Sequence, residues 1–133
     1  MAYDVAIMGA GPGGYVAAIK AAQLGGRVLL VEKEKLGGVC LNRGCIPTKV
    51  LLKCSEVYST IKKSAQYGIS TGNVSFDFAK MQSRKQRVVD ALESGLKALM
   101  KANGIDVAYG EGKIIDHARI AVNGAVHESR NII

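Results

Sequence analysis

No apolar run in this chain reaches the length needed to cross a bilayer, and no basic cluster precedes the first apolar stretch. The opening Met1-Ala2-Tyr3-Asp4-Val5-Ala6-Ile7-Met8 therefore reads as a first strand rather than a secretion signal. The expectation is a cytoplasmic protein with no membrane partner. Cysteine is scarce and odd in number, at three: Cys40, Cys45 and Cys54. Without an export signal, that count argues against a structural disulfide framework, and a closely spaced pair points to redox or metal chemistry. Nucleic-acid motifs are also missing. The net charge of +7 comes from scattered residues such as Lys33, Lys35, Lys62, Lys63, Arg84, Lys85 and Arg87. A solvated helix surface accounts for them, and no nucleic-acid partner is expected. Internal repeats, low-complexity tracts and linkers are absent as well.

What is there is ordinary globular material. The chain has 133 residues, 48% hydrophobic and 22% charged, which is one domain or less with enough apolar content for a core. Residues 3–8 form a short apolar run that predicts a buried parallel strand. A glycine-rich turn follows, then an alanine-rich stretch from Tyr15 to Leu24 that predicts a helix stopped by Gly25 and Gly26. Arg27 to Glu32 predicts a second buried strand, completing a βαβ unit of about thirty residues. Lys33 to Gly44 reads as a functional loop. A helix is predicted from Pro47 to about Tyr67, with Val50, Cys54, Val57, Tyr58, Ile61 and Ala65 at helical spacing, ended by Gly68. Cys54 on that stripe reads as a small buried hydrophobe. A second long helix is predicted from Phe78 to Ala102, with Met81, Val88, Leu92, Leu96 and Leu99 on its apolar stripe. Ile105 to Tyr109 predicts a third strand. Segments 113–116, 118–122 and 126–132 predict a β-meander with a hairpin turn at Asn123-Gly124. His117 and His127 fall in that meander and read as surface strand residues. The final Asn131-Ile132-Ile133 lies in what reads as a strand, so the chain is expected to be part of a longer one.

Gly9, Gly11 and Gly14 fit the dinucleotide pattern G-x-G-x-x-G, and here the context fits too. The turn follows a strand and opens a helix, and the second strand ends in an acid. Gly9 permits the tight turn, Gly11 the approach of backbone to a pyrophosphate, and Gly14 close packing of helix on strand. The helix N-terminus offers free N–H groups and the positive dipole end to phosphates. Glu32, eighteen residues after Gly14, can accept bonds from both hydroxyls of an adenosine ribose and would repel a 2′-phosphate. FAD or NAD is favoured over NADP; the motif alone does not separate the first two.

The segment from Gly37 to Lys49, Gly-Gly-Val-Cys-Leu-Asn-Arg-Gly-Cys-Ile-Pro-Thr-Lys, carries the most chemistry. In a regular helix, positions five apart have Cα atoms roughly 8–9 Å apart, whereas a disulfide needs about 4.4–6.8 Å. A bridge between Cys40 and Cys45 would thus require a distorted turn, which Asn42 and Gly44 tolerate. Lys49 lies four residues past Cys45 and would share its helix face, where an ammonium favours a thiolate. A zinc half-site is the competing reading, but the spacing is wide and no histidine or second cysteine pair supports it. Inert core thiols are another, which leaves the flanking glycines and lysine unexplained.

This segment resembles the active-site signature of the pyridine nucleotide–disulfide oxidoreductases, a family that includes lipoamide dehydrogenase, glutathione reductase and mercuric reductase. The wording Leu-Asn-x-Gly-Cys-Ile-Pro-Thr-Lys is closest to that of the dihydrolipoamide dehydrogenases. The resemblance covers the whole chain, including the strand start Gly110-Glu111-Gly112-Lys113. It implies an α/β fold: a Rossmann-like FAD-binding domain with a parallel sheet and a β-meander, incomplete within residues 1–133. The NAD-binding and interface domains, with the general-base His–Glu pair, would lie in segments not present here.

The resemblance further implies tightly bound FAD at the first turn, with NAD as electron acceptor in the full-length enzyme. Its implied cofactor contacts fall on Gly9, Gly11, Pro12, Gly13, Gly14, Glu32, Lys33, Gly37, Gly38, Val39, Cys40, Cys45, Lys49 and Gly112. Catalytic roles are implied for three residues. Cys40 would be the outer thiol that exchanges with a dihydrolipoyl dithiol, Cys45 the inner thiol beside the flavin, and Lys49 a cation near its reactive nitrogen. The implied partners are a lipoyl-bearing protein substrate and a second subunit in a homodimer, and no metal is expected. The 133-residue piece alone is expected to be inactive. Alternatives are another flavin disulfide reductase, acting on glutathione or mercuric ion, or a nucleotide-binding module without catalysis.

Overall fold

The computed structural model describes residues 2–133. Among the described residues four helices and six strands follow in order: β1 (Val5–Met8), α1 (Pro12–Gln23), β2 (Val28–Glu32), α2 (Gly38–Arg43), α3 (Cys45–Lys62), α4 (Phe78–Ala102), β3 (Asp106–Tyr109), β4 (Gly112–Asp116), β5 (Arg119–Val122) and β6 (Ala125–Glu128). A 3-10 turn at Ser64–Tyr67 follows α3. Strands β1, β2 and β3 form a parallel sheet with β2 in the centre, and β4, β5 and β6 form an antiparallel meander.

The apolar run Val28-Leu29-Leu30-Val31 is buried at every position because β2 is covered on both faces. The two-residue period of a strand sorts its side chains. Val28 and Leu30, with Val5 and Ile7 of β1, join a core completed by Ala18 of α1, Leu41 of α2 and Val89, Leu96 and Met100 of α4. Leu29 and Val31, with Ala6, face Ile120 and Val122 of the meander. The architecture is thus three layers: helices, parallel sheet, antiparallel sheet. Each fully buried leucine or isoleucine is worth about 1.5–3 kcal/mol relative to exposure.

Helix α4 runs over the predicted residues. Asp77 caps its start by accepting the Lys80 N–H at 3.0 Å, and Gly104, at φ 65°, follows its end. Its buried face differs from the predicted stripe. Val89, Glu93, Leu96 and Met100 point inward, whereas Leu92 and Leu99 are exposed. Glu93 disguises this face in the sequence. Its carboxylate is held inside by the ammonium of Lys97 at 2.9 Å and that of Lys35 at 3.9 Å. Lys97 is raised above its ordinary pKa by the bond to Glu93. The predicted stripe of α3 likewise buries no residue fully, and Cys54 is half-buried and unbridged.

Two further segments depart from expectation. Part of the 33–44 loop is helical, as α2. The last predicted strand breaks after Glu128. Ser129, buried and polar, turns the chain by donating its Oγ–H to the Asn131 carbonyl at 2.7 Å. Residues 129–133 then run parallel to β1 on its free edge, where the Ala6 N–H donates to Asn131 and the Ile133 N–H to Ala6, both at 2.9 Å. Asn123 and Gly124 both have positive φ, at 49° and 83°, which makes the β5–β6 hairpin turn with a twist that suits its strands. His117 is exposed, and the half-buried His127 ring lies 6.3 Å from that of Tyr3. No helix among the described residues is long and apolar enough to cross a membrane.

Candidate functional site

The first turn of α1 is built for close approach. Gly11 is its N-cap without any side-chain cap, and Pro12 takes the first helical position. The earliest helical bond runs from the Tyr15 N–H to the Gly11 carbonyl, so the N–H groups of Gly13 and Gly14 precede the helix's own ladder. A Cβ at Gly9, Gly11 or Gly13 would meet no atom within 4 Å, so the turn has open space in front of its backbone. A Cβ at Gly14 would instead overlap the Gly9 carbonyl oxygen. The absence of side chains thus brings the helix start onto the end of β1. Free N–H groups, a helix dipole and open space together could hold an anion such as a pyrophosphate.

Glu32 ties this turn to the next loop. Its Oε2 accepts the Ala10 N–H and its Oε1 the Glu34 N–H, each at 2.8 Å. Each oxygen retains one lone pair for a further donor such as a ribose hydroxyl. Beside it opens a cleft of about 550 Å³, whose walls include Lys33, Gly38, Val39 and Asn42. The Ala10 carbonyl accepts the Gly37 N–H at 2.8 Å, so Ala10 links both loops. Gly38, at φ 59°, lies so near the first turn that a Cβ there would come within 2.8 Å of the Gly11 Cα. Gly112 lies on the other face of the parallel sheet, where a Cβ would stand 3.0 Å from Val31 Cγ1 and 3.1 Å from Met8 Cε.

Cys40 and Cys45 are joined by a disulfide, with Cα atoms 4.7 Å apart. The distortion this demands is a break between two helices. Helix α2 ends at Arg43, Gly44 adopts φ −120° and ψ −103°, and α3 restarts at Cys45. A Cβ at Gly44 would stand 3.2 Å from the Val39 carbonyl oxygen, which favours glycine at the crossing. Cys45 is exposed and Cys40 half-buried. Cys40 also lines a mainly apolar groove of about 460 Å³ with Pro12, Tyr15, Ile46, Leu92 and Leu99.

The fold therefore gathers Gly9 to Gly14, Glu32, Lys33, Gly37, Gly38, Val39 and Cys40 at one end of the parallel sheet. Lys49 stands one turn past Cys45 on α3, exposed. Three contributors were not read from the sequence. Ala10 joins the two loops through its backbone, while its buried methyl group packs in the core. Tyr15 reads only as the start of the predicted helix, and in the structure it lines the groove with Leu92 and Leu99 of α4. Asn42 reads as a residue tolerated in a bent turn, yet it is helical, and its Nδ2 donates to the carbonyls of Leu36 at 3.0 Å and Gly38 at 2.9 Å.

A dihydrolipoyl dehydrogenase of Acholeplasma laidlawii is 53% identical over 132 residues, covering 98% of this chain and 39% of that protein. One from Bacillus subtilis (strain 168) is 57% identical over 113 residues, covering 85% of this chain and 24% of its own length. One from Mycoplasma genitalium is 40% identical across 100% of this chain and 29% of its own length. The chain thus spans well under half the length of the curated relatives it matches. The family model described as pyridine nucleotide-disulphide oxidoreductase matches residues 3–133, nearly all of them, and the chain belongs to that family.

Proposed function

We propose that this chain supplies the flavin-binding and disulfide portion of a dihydrolipoyl dehydrogenase. In this reading residues 1–133 are the amino-terminal portion of the FAD-binding domain. The observation that carries it is the Cys40–Cys45 bridge, set at a helix break beside an uncapped, glycine-lined helix start. When bound, FAD would supply two-electron redox chemistry between the dithiol and NAD. The fit rests on the open space in front of Gly9, Gly11 and Gly13 and the spare lone pairs of Glu32.

The N–H groups at the start of α1 would hold the pyrophosphate, and Glu32 and Lys33 would orient the adenosine end. Cys40, on the apolar groove, takes the first attack by a dihydrolipoyl thiolate. The Cys40–Cys45 bond breaks, a mixed disulfide forms at Cys40, and Cys45 leaves as thiolate. The second substrate thiol then displaces Cys40, and cyclic lipoyl disulfide departs with Cys40 and Cys45 reduced. Lys49 sits one turn past Cys45 and favours its thiolate. An aliphatic dithiol arm suits the groove, since Ile46, Leu92 and Leu99 offer no charge to pair. A lipoyl-bearing protein, a second subunit and NAD are the partners of the complete protein in this reading.

The full-length protein is the object to test. Purified with FAD, it should reduce NAD with dihydrolipoamide. Cys40→Ser and Cys45→Ser should each lower turnover by at least about a thousandfold while leaving the flavin bound. Turnover with glutathione disulfide or mercuric ion in place of the lipoyl substrate would reassign the substrate. The 133-residue chain on its own should show no sustained NADH formation.

A further inference from the structure

We propose that Asn42 is a positioning residue for the disulfide, holding Cys40 at bonding distance from Cys45. Helix α2 has six residues, too few to persist by its own hydrogen bonds. Gly37 at its start has positive φ and provides no side-chain cap. The tether comes from Asn42 instead. Its amide reaches back along α2 to the Gly38 carbonyl at 2.9 Å and beyond the helix to the carbonyl of Leu36, which is 1% exposed in the core. Both partners are acceptors only, so the nitrogen end of the amide must face them. The Oδ1 end is buried and has no hydrogen-bond partner in the structure. Half of the amide's bonding capacity is thus left unmet while its two donors are both used. Cys40 lies between the two bonded points, Gly38 and Asn42, so the clamp fixes the short segment that carries its sulfur.

A clamp of this kind raises the local concentration of one thiol about the other and so favours the bridge. Removing it should make the bridge easier to reduce. This bears on the proposed function, since the bridge is at its centre, but it is read on the two sulfurs alone and stands or falls independently of cofactor or substrate. The full-length protein is equilibrated with reduced and cyclic oxidised dithiothreitol. Two electrons and two protons pass from the reagent to Cys40 and Cys45, the protein S–S bond breaks, and the reagent forms its own ring disulfide. Alkylation and mass spectrometry of the peptides then give the ratio. Asn42→Ala and Asn42→Asp should each shift the equilibrium toward the dithiol by about tenfold. Asn42→Ser, keeping one donor, should fall between them and the unchanged protein. Asn103→Ala removes a similar bond, Nδ2 to the Leu99 carbonyl at 2.9 Å, far along the chain at the end of α4, and should leave the ratio unmoved. A purely structural role for Asn42 weakens oxidised and reduced forms alike. Wild-type ratios in Asn42→Ala and Asn42→Ser, with lowered melting temperatures, would overturn the proposal. If Asn42→Asp does not fold, those two variants decide.

Discussion

At Gly14 a single methyl group would overlap the Gly9 carbonyl oxygen, whereas at Gly13, one residue earlier, it would meet no atom within 4 Å. Two neighbouring glycines thus have different reasons to be glycine. Gly14→Ala should cost about 2–3 kcal/mol, because backbone must shift to admit the methyl. Gly13→Ala should gain up to about 1 kcal/mol from helix propensity, and yet weaken ADP binding, since its Cβ occupies the space in front of the turn. Urea denaturation and equilibrium dialysis read the two effects separately. A third residue answers to acid. Asp116 holds Arg119 and accepts the Ala118 N–H at 2.9 Å, and these bonds keep its carboxyl below the ordinary aspartate range. Its contribution is present above the unfolded pKa and is lost as pH falls through the folded value. The β4–β5 turn should therefore loosen only below about pH 4. Amide exchange at Ala118 across that range measures it, and Asp116→Asn should remove the pH dependence.

Among the elements, α4 separates what the sequence states from what it conceals. Asp77 and Gly104 mark its ends in the structure, and its limits agree with the predicted residues 78–102. Its inward face does not, because Glu93 occupies a core position and depends on Lys35 and Lys97, one of them from a distant loop. Leu92 and Leu99, which look like core, line the groove beside Cys40 instead. Leu96→Ala should cost about 2–4 kcal/mol in thermal or urea unfolding. Leu92→Ala should cost well under half of that, and equal losses would argue that both leucines are core. Helix α2 was hidden for a different reason. Six residues opening with Gly38 and containing Asn42 carry turn composition, and only the contact of Leu41 with the core and the amide bonds of Asn42 make them helical. The glycine turn, Glu32 and the cysteine pair were legible because their spacing is chemistry in itself. Ala10 was not, because its bonds to the two loops are made by the backbone and its small buried side chain reads only as core.

In the molecule as a whole, two separate cores lie on opposite faces of β1 and β2, and one short segment closes the arrangement. Residues 129–133 leave the meander to pair with β1, with the Arg130 N–H donating to the Tyr3 carbonyl at 2.9 Å. Ser129→Ala removes the Oγ bonds to Asn131 and Tyr3 at the point of turning and should cost about 1–2 kcal/mol. Denaturant midpoints and faster exchange of the Ala6 amide would show it. The Ser129–Tyr3 bond joins residues 126 apart in sequence. On the ribosome, then, the outer margin of the first strand is left waiting. More than a hundred residues must be polymerised before its permanent neighbour emerges, and in that interval its open amides are available to any other extended segment, including one from an adjacent nascent chain.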